Sequence, residues 1–211
     1  MSQTIALFGA TGGSGRAFLP KALAAGHHVR ALVRTPAKLT ISHERLTVIQ
    51  GDMLNPADVR RTVEGSDVVV SLIGQDKQSP KDLQTRGIQH VVDAVKAGQP
   101  RKIISLTGGA VPYAKDQPKL IDKIFRGVMG LFFKSVVEDA TAHARVLERS
   151  GLPYVIVRGP RLTDGPEKGE YRVGYVGVDA SASISRADLA DFLLRQLDDD
   201  QYLGDMPFVS Y

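Results

Sequence analysis

Residues 9–15 read Gly9-Ala10-Thr11-Gly12-Gly13-Ser14-Gly15, and they directly follow the apolar run Ile5–Phe8. A helical pattern, Gly15–Ala25, begins where this glycine loop ends. Glycines between a strand and a helix are typical of a loop that holds the pyrophosphate of a dinucleotide. The stretch therefore predicts a Rossmann-like domain that binds a dinucleotide cofactor.

The positions within the loop have distinct expected roles. Gly9 permits a tight turn, Gly12 lets the backbone approach the pyrophosphate, and Gly15 lets the helix pack on the strand. We expect Thr11 and Ser14, together with the N–H groups of the first helical turn, to donate hydrogen bonds to phosphate oxygens. The positive end of the helix favours the same anion.

The rest of the chain repeats this alternation of strand and helix. Apolar, β-branched runs predict strands at Ile5–Phe8, Val29–Val33, Leu46–Ile49, Val68–Leu72, Lys102–Leu106 and Tyr154–Val157. Helical patterns lie between them at Gly15–Ala25, Pro56–Glu64, Lys81–Ala97 and in a long stretch that ends at Arg149. This order predicts one doubly wound α/β domain over residues 1–211, with a mainly parallel sheet of about seven strands. Residues 171–211 are expected to form a C-terminal extension on the substrate side.

Several helix boundaries carry their own signals. Asn55 precedes a proline, and Ser185 with Asp188 has the form of a capping box. Glycines that follow predicted helices favour a left-handed residue at Gly26, Gly98 and Gly151.

Composition excludes several classes of function. The 211 residues contain no cysteine, which excludes disulfides and thiolate sites, and the five histidines show no metal-ligand spacing. The formal charge is +4, but the basic residues are scattered, so no nucleic-acid partner is expected. No apolar run approaches the roughly 20 residues that a membrane span needs, and the first residues do not resemble a signal peptide. We therefore expect a cytoplasmic protein without a metal.

The end of the second predicted strand indicates which dinucleotide is bound. An NAD site usually has an acidic residue there, whereas an NADP site has an arginine. This chain reads Val33-Arg34-Thr35-Pro36-Ala37-Lys38 and has no acid. We expect Arg34 to bind a 2′-phosphate in bidentate fashion and Lys38 to add a point charge, so the predicted cofactor is NADP(H).

Two further strand ends are predicted to face the cofactor, because ligands of such sheets lie beyond the carboxyl ends of the strands. Asp52 and Met53 follow the third strand, where Asp52 is placed to accept a hydrogen bond from the adenine amino group. Leu72, Ile73 and Gly74 follow the fourth strand, where Gly74 lets the backbone pass beneath a ribose.

With these residues in place, the chain resembles the atypical short-chain dehydrogenases, and most of all the NAD(P)H-binding family that includes the flavin reductases. The resemblance covers essentially the whole chain. The matching segments are Leu7 to Gly15, Leu32-Val33-Arg34, Gly51-Asp52, Val146 to Tyr154 and Val157 to Pro166. The resemblance implies that Thr107 and Gly108 flank the nicotinamide ribose, and that the loop with Pro160 and Arg161 lies near the nicotinamide.

The chain also departs from this resemblance. Ordinary short-chain dehydrogenases protonate a carbonyl with a Tyr-x-x-x-Lys pair, but no tyrosine here precedes a lysine by four residues. The corresponding helix positions hold Ser135 and Asp139. Gly108 and Arg161 replace a serine and a histidine of the smaller reductases. Arg161 has two open interpretations, one as a group that attracts substrate and one as a partner of the pyrophosphate or of a carboxylate.

His143 matches a histidine on the long helix of the family. It is either a proton relay or a buried helix histidine that makes one hydrogen bond. The segment 118–134 is an amphipathic pattern with three interpretations: packing against the sheet, a lid over the nicotinamide, or a dimer or membrane-surface contact. The dimer interpretation of this segment corresponds to a homodimer of the chain.

The expected function is an NADPH-dependent reductase of a small-molecule electron acceptor, namely a flavin, a quinone or a similar conjugated compound. His143 and Arg161 are its candidate catalytic residues. The alternative is a regulatory protein that senses NADP(H) without turnover and resembles the NmrA-like proteins.

Overall fold

Parallel strands alternate with helices from the start of the chain, as the hydrophobic pattern predicts. The structure, a computed structural model, describes residues 1–76, 78–98, 100–178 and 180–211. Its strands are β1 (Thr4–Phe8), β2 (His28–Val33), β3 (Leu46–Gln50), β4 (Val68–Ser71), β5 (Ile103–Gly108), β6 (Tyr154–Gly159), β7 (Arg161–Thr163), β8 (Arg172–Gly174), β9 (Ser183–Ser185) and β10 (Phe208–Ser210). Its helices are α1 (Gly13–Ala24), α2 (Pro56–Val63), α3 (Leu83–Ala97), α4 (Leu120–Phe132), α5 (Lys134–Glu148) and α6 (Arg186–Arg195), with a 3₁₀ turn at Pro36–Lys38.

The main sheet has eight strands in the order β3-β2-β1-β4-β5-β6-β10-β8. All neighbouring pairs are parallel except β10 with β8, and β7 pairs with β9 in a separate two-stranded sheet. The chain runs outward from β1 to β3 and then returns to add β4 on the other side of β1. This reversal of strand order opens a crevice beyond the carboxyl ends of β1 and β4, which is where ligands of such sheets bind.

Helices cover both faces of the sheet. On one face α1 and α6 pack together over residues such as Val155 and Val157. On the other face α2, α3 and α5 enclose residues such as Val69 and Ile156. Burial on both faces explains why the central strands are almost continuously apolar in sequence.

The boundaries differ from the sequence-based predictions in three places. The sheet has eight strands rather than about seven, because residues 171–211 supply β8 and β10 as well as α6. The predicted long helix is divided at Phe133 into α4 and α5. Gly98 has φ −118°, so its predicted left-handed conformation is wrong, whereas Gly26 and Gly151 have φ +89° and +73°.

The predicted helix starts are confirmed. The Asn55 side chain accepts a hydrogen bond from Ala57 N–H at 3.0 Å, and the Ser185 side chain accepts one from Asp188 N–H at 3.0 Å. Each satisfies a helix amide that has no partner within the helix.

Candidate functional site

The glycine loop is folded tightly against the end of β4. Gly9 has φ +90°, and a Cβ atom at this position would lie 2.7 Å from the Leu72 carbonyl oxygen. A Cβ atom on Gly15 would lie 2.1 Å from the Gly9 carbonyl oxygen. At Gly12 the same distance to Gly9 O is 3.4 Å, so the protein leaves room for a side chain there. Gly9 and Gly15 are thus required by the fold, while Gly12 leaves space on the open side of the loop.

The first turn of α1 presents to this space amides that have no partner within the helix. Gly12 is the N-cap residue and makes no side-chain cap bond, and the first turn has no acidic residue. The Arg16 N–H donates to Gly12 O at 2.9 Å, which makes it the first amide bonded within the helix. The N–H groups of Gly13, Ser14 and Gly15 precede that bond and are oriented as in an anion site. Thr11 and Ser14 are half-buried at the same end. The N–H groups of Gly13, Ser14 and Gly15 and the open space at Gly12 fit a pyrophosphate group.

The strand register brings the other predicted strand ends to the same edge. Phe8, the last residue of β1, pairs with Leu32 of β2 and Ser71 of β4. Gly108 of β5 pairs with Gly159 of β6. The residues that follow these strands, Arg34, Leu72 to Gly74, Gly109 and Pro160, therefore leave the sheet at one edge with the glycine loop.

Arg34 and Asp76 meet across the end of β1. Arg34 follows β2 and Asp76 lies in the loop after β4, and their charged groups are 3.9 Å apart in an exposed ion pair. Hydrogen bonds from the Ser79 hydroxyl and the Gln78 N–H, with a smaller effect of Arg34, lower the pKa of Asp76. Lys38 is exposed at the end of the 3₁₀ turn after β2. Both predicted cations thus lie on the β2 side of the crevice and are accessible.

Asp52 and Met53, which follow β3 after Gly51, lie in different surroundings. One oxygen of Asp52, Oδ1, accepts a hydrogen bond from Leu54 N–H at 2.8 Å, and the side chain stays half-buried. Met53 is 4% exposed and lies against Gly87 of α3, while its carbonyl contacts His90 Nδ1 at 3.0 Å. The Met53 side chain therefore belongs to the core between α2 and α3, and the assignment of Met53 to the cofactor site stays a prediction.

The segment after β4 changes from core to surface within three residues. Leu72 is buried and its N–H donates to Phe8 O at 2.9 Å, Ile73 is half-buried, and Gly74 is exposed. A Cβ atom on Gly74 would meet no heavy atom within 4 Å. The protein itself therefore does not require glycine at this position.

At the end of β5, the Thr107 hydroxyl is buried without a hydrogen-bond partner in the described part of the chain. A buried hydroxyl of this kind is unusual in proteins and is often satisfied by a ligand or ion. Gly108 is exposed, and Gly109 N–H donates to Gly159 O at 2.8 Å. Pro160, half-buried, follows directly after β6. The Thr107 hydroxyl and the open surface at Gly108 fit the nicotinamide side of a dinucleotide.

The two candidate catalytic residues differ in burial. His143 is 3% exposed on α5, and its Nε2 is 2.8 Å from Ser105 Oγ. Burial lowers the pKa of His143 to about 4, against weaker opposing effects of Asp139 and the Ala140 carbonyl. Arg161 is exposed at the start of β7, on the α1 and α6 side, where the next residue, Leu162, packs. The structure does not bring His143 to the surface of the crevice.

Asp139 has a role that the sequence did not reveal. Its carboxylate accepts hydrogen bonds from Gln84 N–H and Thr85 N–H, each at 2.9 Å, from Thr85 Oγ1 at 2.6 Å and from Gln75 Nε2 at 2.7 Å. The first three donors belong to the first turn of α3, so a residue of α5 caps a neighbouring helix. Asp139, which the resemblance places at the position of the dyad lysine, is thus a buried structural carboxylate.

Arg186 is a second residue that sequence analysis missed. It begins α6, and its Nε would lie 2.5 Å from a Cβ atom on Gly13. Its Nη1 donates to Asp164 Oδ1 at 2.6 Å. More than 170 residues separate Arg186 from the loop in sequence, and a single arginine after a helix cap gives no signal of this contact.

Helix α4 exposes most of its apolar side chains. Exposed fractions reach 75% at Leu120, 76% at Leu131 and 72% at Phe132. The side chains of Phe125, Arg126 and Met129 lie outside the described part of the structure. Packing of this segment against the sheet, one of the three interpretations, is therefore wrong for the side chains that the structure describes. The other two interpretations, a lid over the nicotinamide and a dimer or membrane-surface contact, agree with these exposed side chains.

Residues 1–76, 78–98, 100–178 and 180–211 contain neither a membrane-spanning helix nor a cluster of metal ligands. Within them, no helix is long and apolar enough to cross a membrane. In the same part of the chain, no three histidine, aspartate or glutamate side chains cluster as metal ligands would.

Comparisons with known proteins agree with this geometry. The model of the NAD(P)H-binding family matches residues 9–200, so the chain belongs to that family. It is 26% identical to the reductase pytE of Aspergillus terreus over 99% of this chain and 98% of that protein. A wide-type short-chain dehydrogenase/reductase from Veillonella parvula, solved in complex with NADP, is 22% identical, with a TM-score of 0.82 over 100% of this chain and 95% of the other. A proposed NADH-flavin reductase from Streptococcus pneumoniae is 19% identical, with a TM-score of 0.79 over 99% of each chain.

Family membership confirms the resemblance to atypical short-chain dehydrogenases and the expectation of an NAD(P)H cofactor. The class of protein is an NAD(P)H-dependent oxidoreductase with a Rossmann-like fold. The solved structures share the fold at low sequence identity.

Proposed function

We propose that this protein is an NADPH-dependent reductase that passes hydride to a flavin, a quinone or a similar conjugated acceptor without a Tyr-x-x-x-Lys pair. The observation that carries the proposal is an open dinucleotide crevice beside a structural Asp139, the residue that the resemblance assigns to the position of the usual lysine. Three of its four hydrogen bonds come from the start of α3, and the fourth comes from Gln75 in the loop after β4. A carbonyl reductase that lacks its proton donor would lose roughly 10²–10⁴ in rate.

The phosphorylated cofactor is favoured by the charges at the end of β2. Arg34 is exposed and its partner Asp76 is also exposed, so the ion pair is weak and the guanidinium is available to a 2′-phosphate. Lys38 adds a second accessible cation. Asp52 Oδ1 accepts from Leu54 N–H, and Oδ2, which has no partner among the described residues, could accept a hydrogen bond from the adenine amino group.

When bound, NADPH supplies the hydride, and the residues of the chain position it. The N–H groups of Gly13, Ser14 and Gly15 would hold the pyrophosphate, and Thr107 Oγ1 would donate a hydrogen bond at the nicotinamide end. Gly108 has no side chain and leaves space for a flat acceptor against the nicotinamide. Holding the two reactants in contact is the main contribution that such a site makes to the rate.

A delocalised acceptor reduces the need for a protein acid. Charge that arrives on a flavin or quinone spreads over the ring system, and solvent can then protonate it. His143 is neutral near pH 7 because its pKa is about 4. Any proton that it relays would pass through the Ser105 hydroxyl, the partner of its Nε2. Arg161, exposed beside Pro160, is placed to attract an anionic acceptor such as FMN.

The names of two relatives support a reductase, and one of the two also names a flavin. One relative that spans the whole chain is called a reductase, and one solved structure with the same fold is described as a proposed NADH-flavin reductase. Neither name specifies the acceptor of this chain.

The test is NADPH oxidation by the purified protein with a panel of FMN, small quinones and simple ketones. We expect oxidation with at least one flavin or quinone and none above background with ketones. A preference for ketones would contradict the proposal, because it would show that the chain contains a proton donor for carbonyl groups.

A second candidate function is an NADP(H) sensor without turnover. The exposed apolar face of α4 favours it, since a sensor needs a surface for a protein partner. Tight NADPH binding without oxidation by any acceptor of the panel would select this alternative.

A further inference from the structure

Arg186 lies where two helices and the glycine loop meet. Helix α6 packs along α1, and α1 begins at the loop. The Arg186 side chain extends across Gly13, the first residue of α1, and reaches Asp164 in the loop after β7. Gly13 leaves the space that this side chain occupies, because a Cβ atom there would come within 2.5 Å of Arg186 Nε.

The start of α6 is held firmly. Asp188 is fully buried, and its carboxylate accepts hydrogen bonds from the Ser185 hydroxyl at 2.8 Å and the Tyr211 hydroxyl at 2.7 Å. The same carboxylate accepts N–H bonds from Lys168 at 3.0 Å and Gly169 at 2.8 Å. These bonds hold the backbone of Arg186 beside the loop, so only its side chain is free to change partner.

The present partner of Arg186 is easily displaced. Asp164 is 89% exposed and Arg186 is 27% exposed, and ion pairs of this kind contribute little to stability. A dinucleotide pyrophosphate carries two negative charges, and the amides at the start of α1 offset them with partial charges only. A guanidinium forms strong, directional hydrogen bonds with phosphate oxygens.

We propose that Arg186 is a pyrophosphate-binding residue and that Asp164 is its internal competitor. On cofactor binding the guanidinium exchanges the Asp164 carboxylate for a phosphate oxygen, and Asp164 turns to solvent. The ligand class is a dinucleotide or another diphosphate ester at the glycine loop. This inference rests on the cofactor half of the proposed function and is independent of the acceptor.

The test is a double-mutant cycle of NADP⁺ dissociation constants measured by titration calorimetry. We expect Arg186→Met to weaken NADP⁺ binding about 10- to 100-fold, the usual size for a lost charge-assisted bond. We expect Asp164→Asn to tighten binding by about two- to fivefold, in line with the small worth of an exposed ion pair. In the Arg186→Met background, Asp164→Asn should have no effect, because the competition it relieves no longer exists.

Two controls make the result specific. Adenosine 2′-monophosphate lacks the pyrophosphate, so its affinity should be the same for wild type and Arg186→Met. Glu167→Gln removes the Lys21–Glu167 pair of 2.7 Å in the same loop without touching Arg186, and it should leave NADP⁺ affinity unchanged.

Unchanged NADP⁺ affinity in Arg186→Met would overturn the proposal, and so would equal effects of Asp164→Asn in both backgrounds. A loss of affinity for adenosine 2′-monophosphate as large as that for NADP⁺ would also overturn it, because it would indicate a general disturbance of the site. If these binding results hold but no acceptor is reduced, the proposed reductase function fails while the role of Arg186 stands.

Discussion

At the scale of single residues, Arg34 is the side chain on which the cofactor preference depends. Its guanidinium lies at the end of β2, opposite Asp76, on the side of the crevice where a 2′-phosphate would be bound. The same position carries an acid in sites that bind the unphosphorylated cofactor.

We therefore expect Arg34→Glu to reduce the preference for NADPH over NADH by about 10- to 100-fold, since it removes a charge-assisted bond and adds repulsion. The measurement is the ratio of dissociation constants for the two cofactors. Arg60→Glu, at an exposed site on α2, is the matched control. An unchanged ratio in Arg34→Glu would show that another residue reads the phosphate.

His143 gives the stability of the protein a defined pH dependence. Burial holds the pKa of His143 at about 4 in the folded protein, below the ordinary value of 6.5 in the unfolded chain. Between these values the unfolded chain binds more protons, so acid lowers the free energy of unfolding. The loss from His143 on going from pH 7 to below pH 4 is at most about 3 kcal/mol.

Urea titrations between pH 4 and 7 measure this slope. We expect a flatter slope for His143→Gln than for wild type, while His43→Gln, at an exposed position, should keep the wild-type slope. Equal slopes for wild type and His143→Gln would contradict the assignment of a buried neutral imidazole.

At the scale of elements, the contact between α3 and α5 depends on one carboxylate. Asp139 on α5 provides the cap that Asp82, the residue before α3, does not provide. It also holds Gln75 in the loop after β4, which connects the cap to the cofactor edge.

Asp139→Ala should lower the free energy of unfolding by about 2–4 kcal/mol, because it leaves several buried donors unpaired. Glu138→Ala, its exposed neighbour on the same helix, should change stability by less than about 0.5 kcal/mol. Chemical denaturation of both variants provides the comparison. Similar values for the two would mean that the cap is not formed.

Helices α4 and α5 contain leucines that differ sharply in burial. Leu131 on α4 is 76% exposed, whereas Leu147 on α5 is 0% exposed. We expect Leu147→Ala to cost about 2–5 kcal/mol of stability and Leu131→Ala to cost less than about 0.5 kcal/mol. A large cost for Leu131→Ala, measured by thermal unfolding, would place α4 in the core after all.

Which elements the sequence predicts depends on their length and periodicity. The central strands β1 to β6 are long apolar runs and were predicted within a residue or two. Strands β8 and β10 have three residues each, too few for a period to be visible. The break at Phe133 falls inside a continuous helical pattern and carries no proline or cap signal.

At the scale of the whole molecule, residues 171–211 are integral to the domain. They add β10 beside β6 and place α6 against α1, the helix that begins at the glycine loop. This arrangement brings Arg186 to Gly13 and the Asp188 network to the C-terminal Tyr211.

The residues of the candidate site also differ in whether the sequence predicts them. The glycine loop and Arg34 are predictable because a local motif carries their chemistry. The contacts of Arg186 with Gly13 and of Asp139 with α3 join segments that are distant in sequence, and no local pattern encodes them. The burial of the Met53 side chain was not predictable, because the position after a strand does not show whether a side chain points to the crevice or to the core.

Hydride transfer from NADPH to a conjugated acceptor is measured by anaerobic single-turnover reduction of FMN and of a small quinone. With NADPH deuterated at the transferred position, we expect acceptor reduction that depends on the protein, shows a primary isotope effect and is faster with NADPH than with NADH. Tight NADPH binding with neither acceptor reduced above the rate without protein would show that the protein does not transfer hydride to such acceptors.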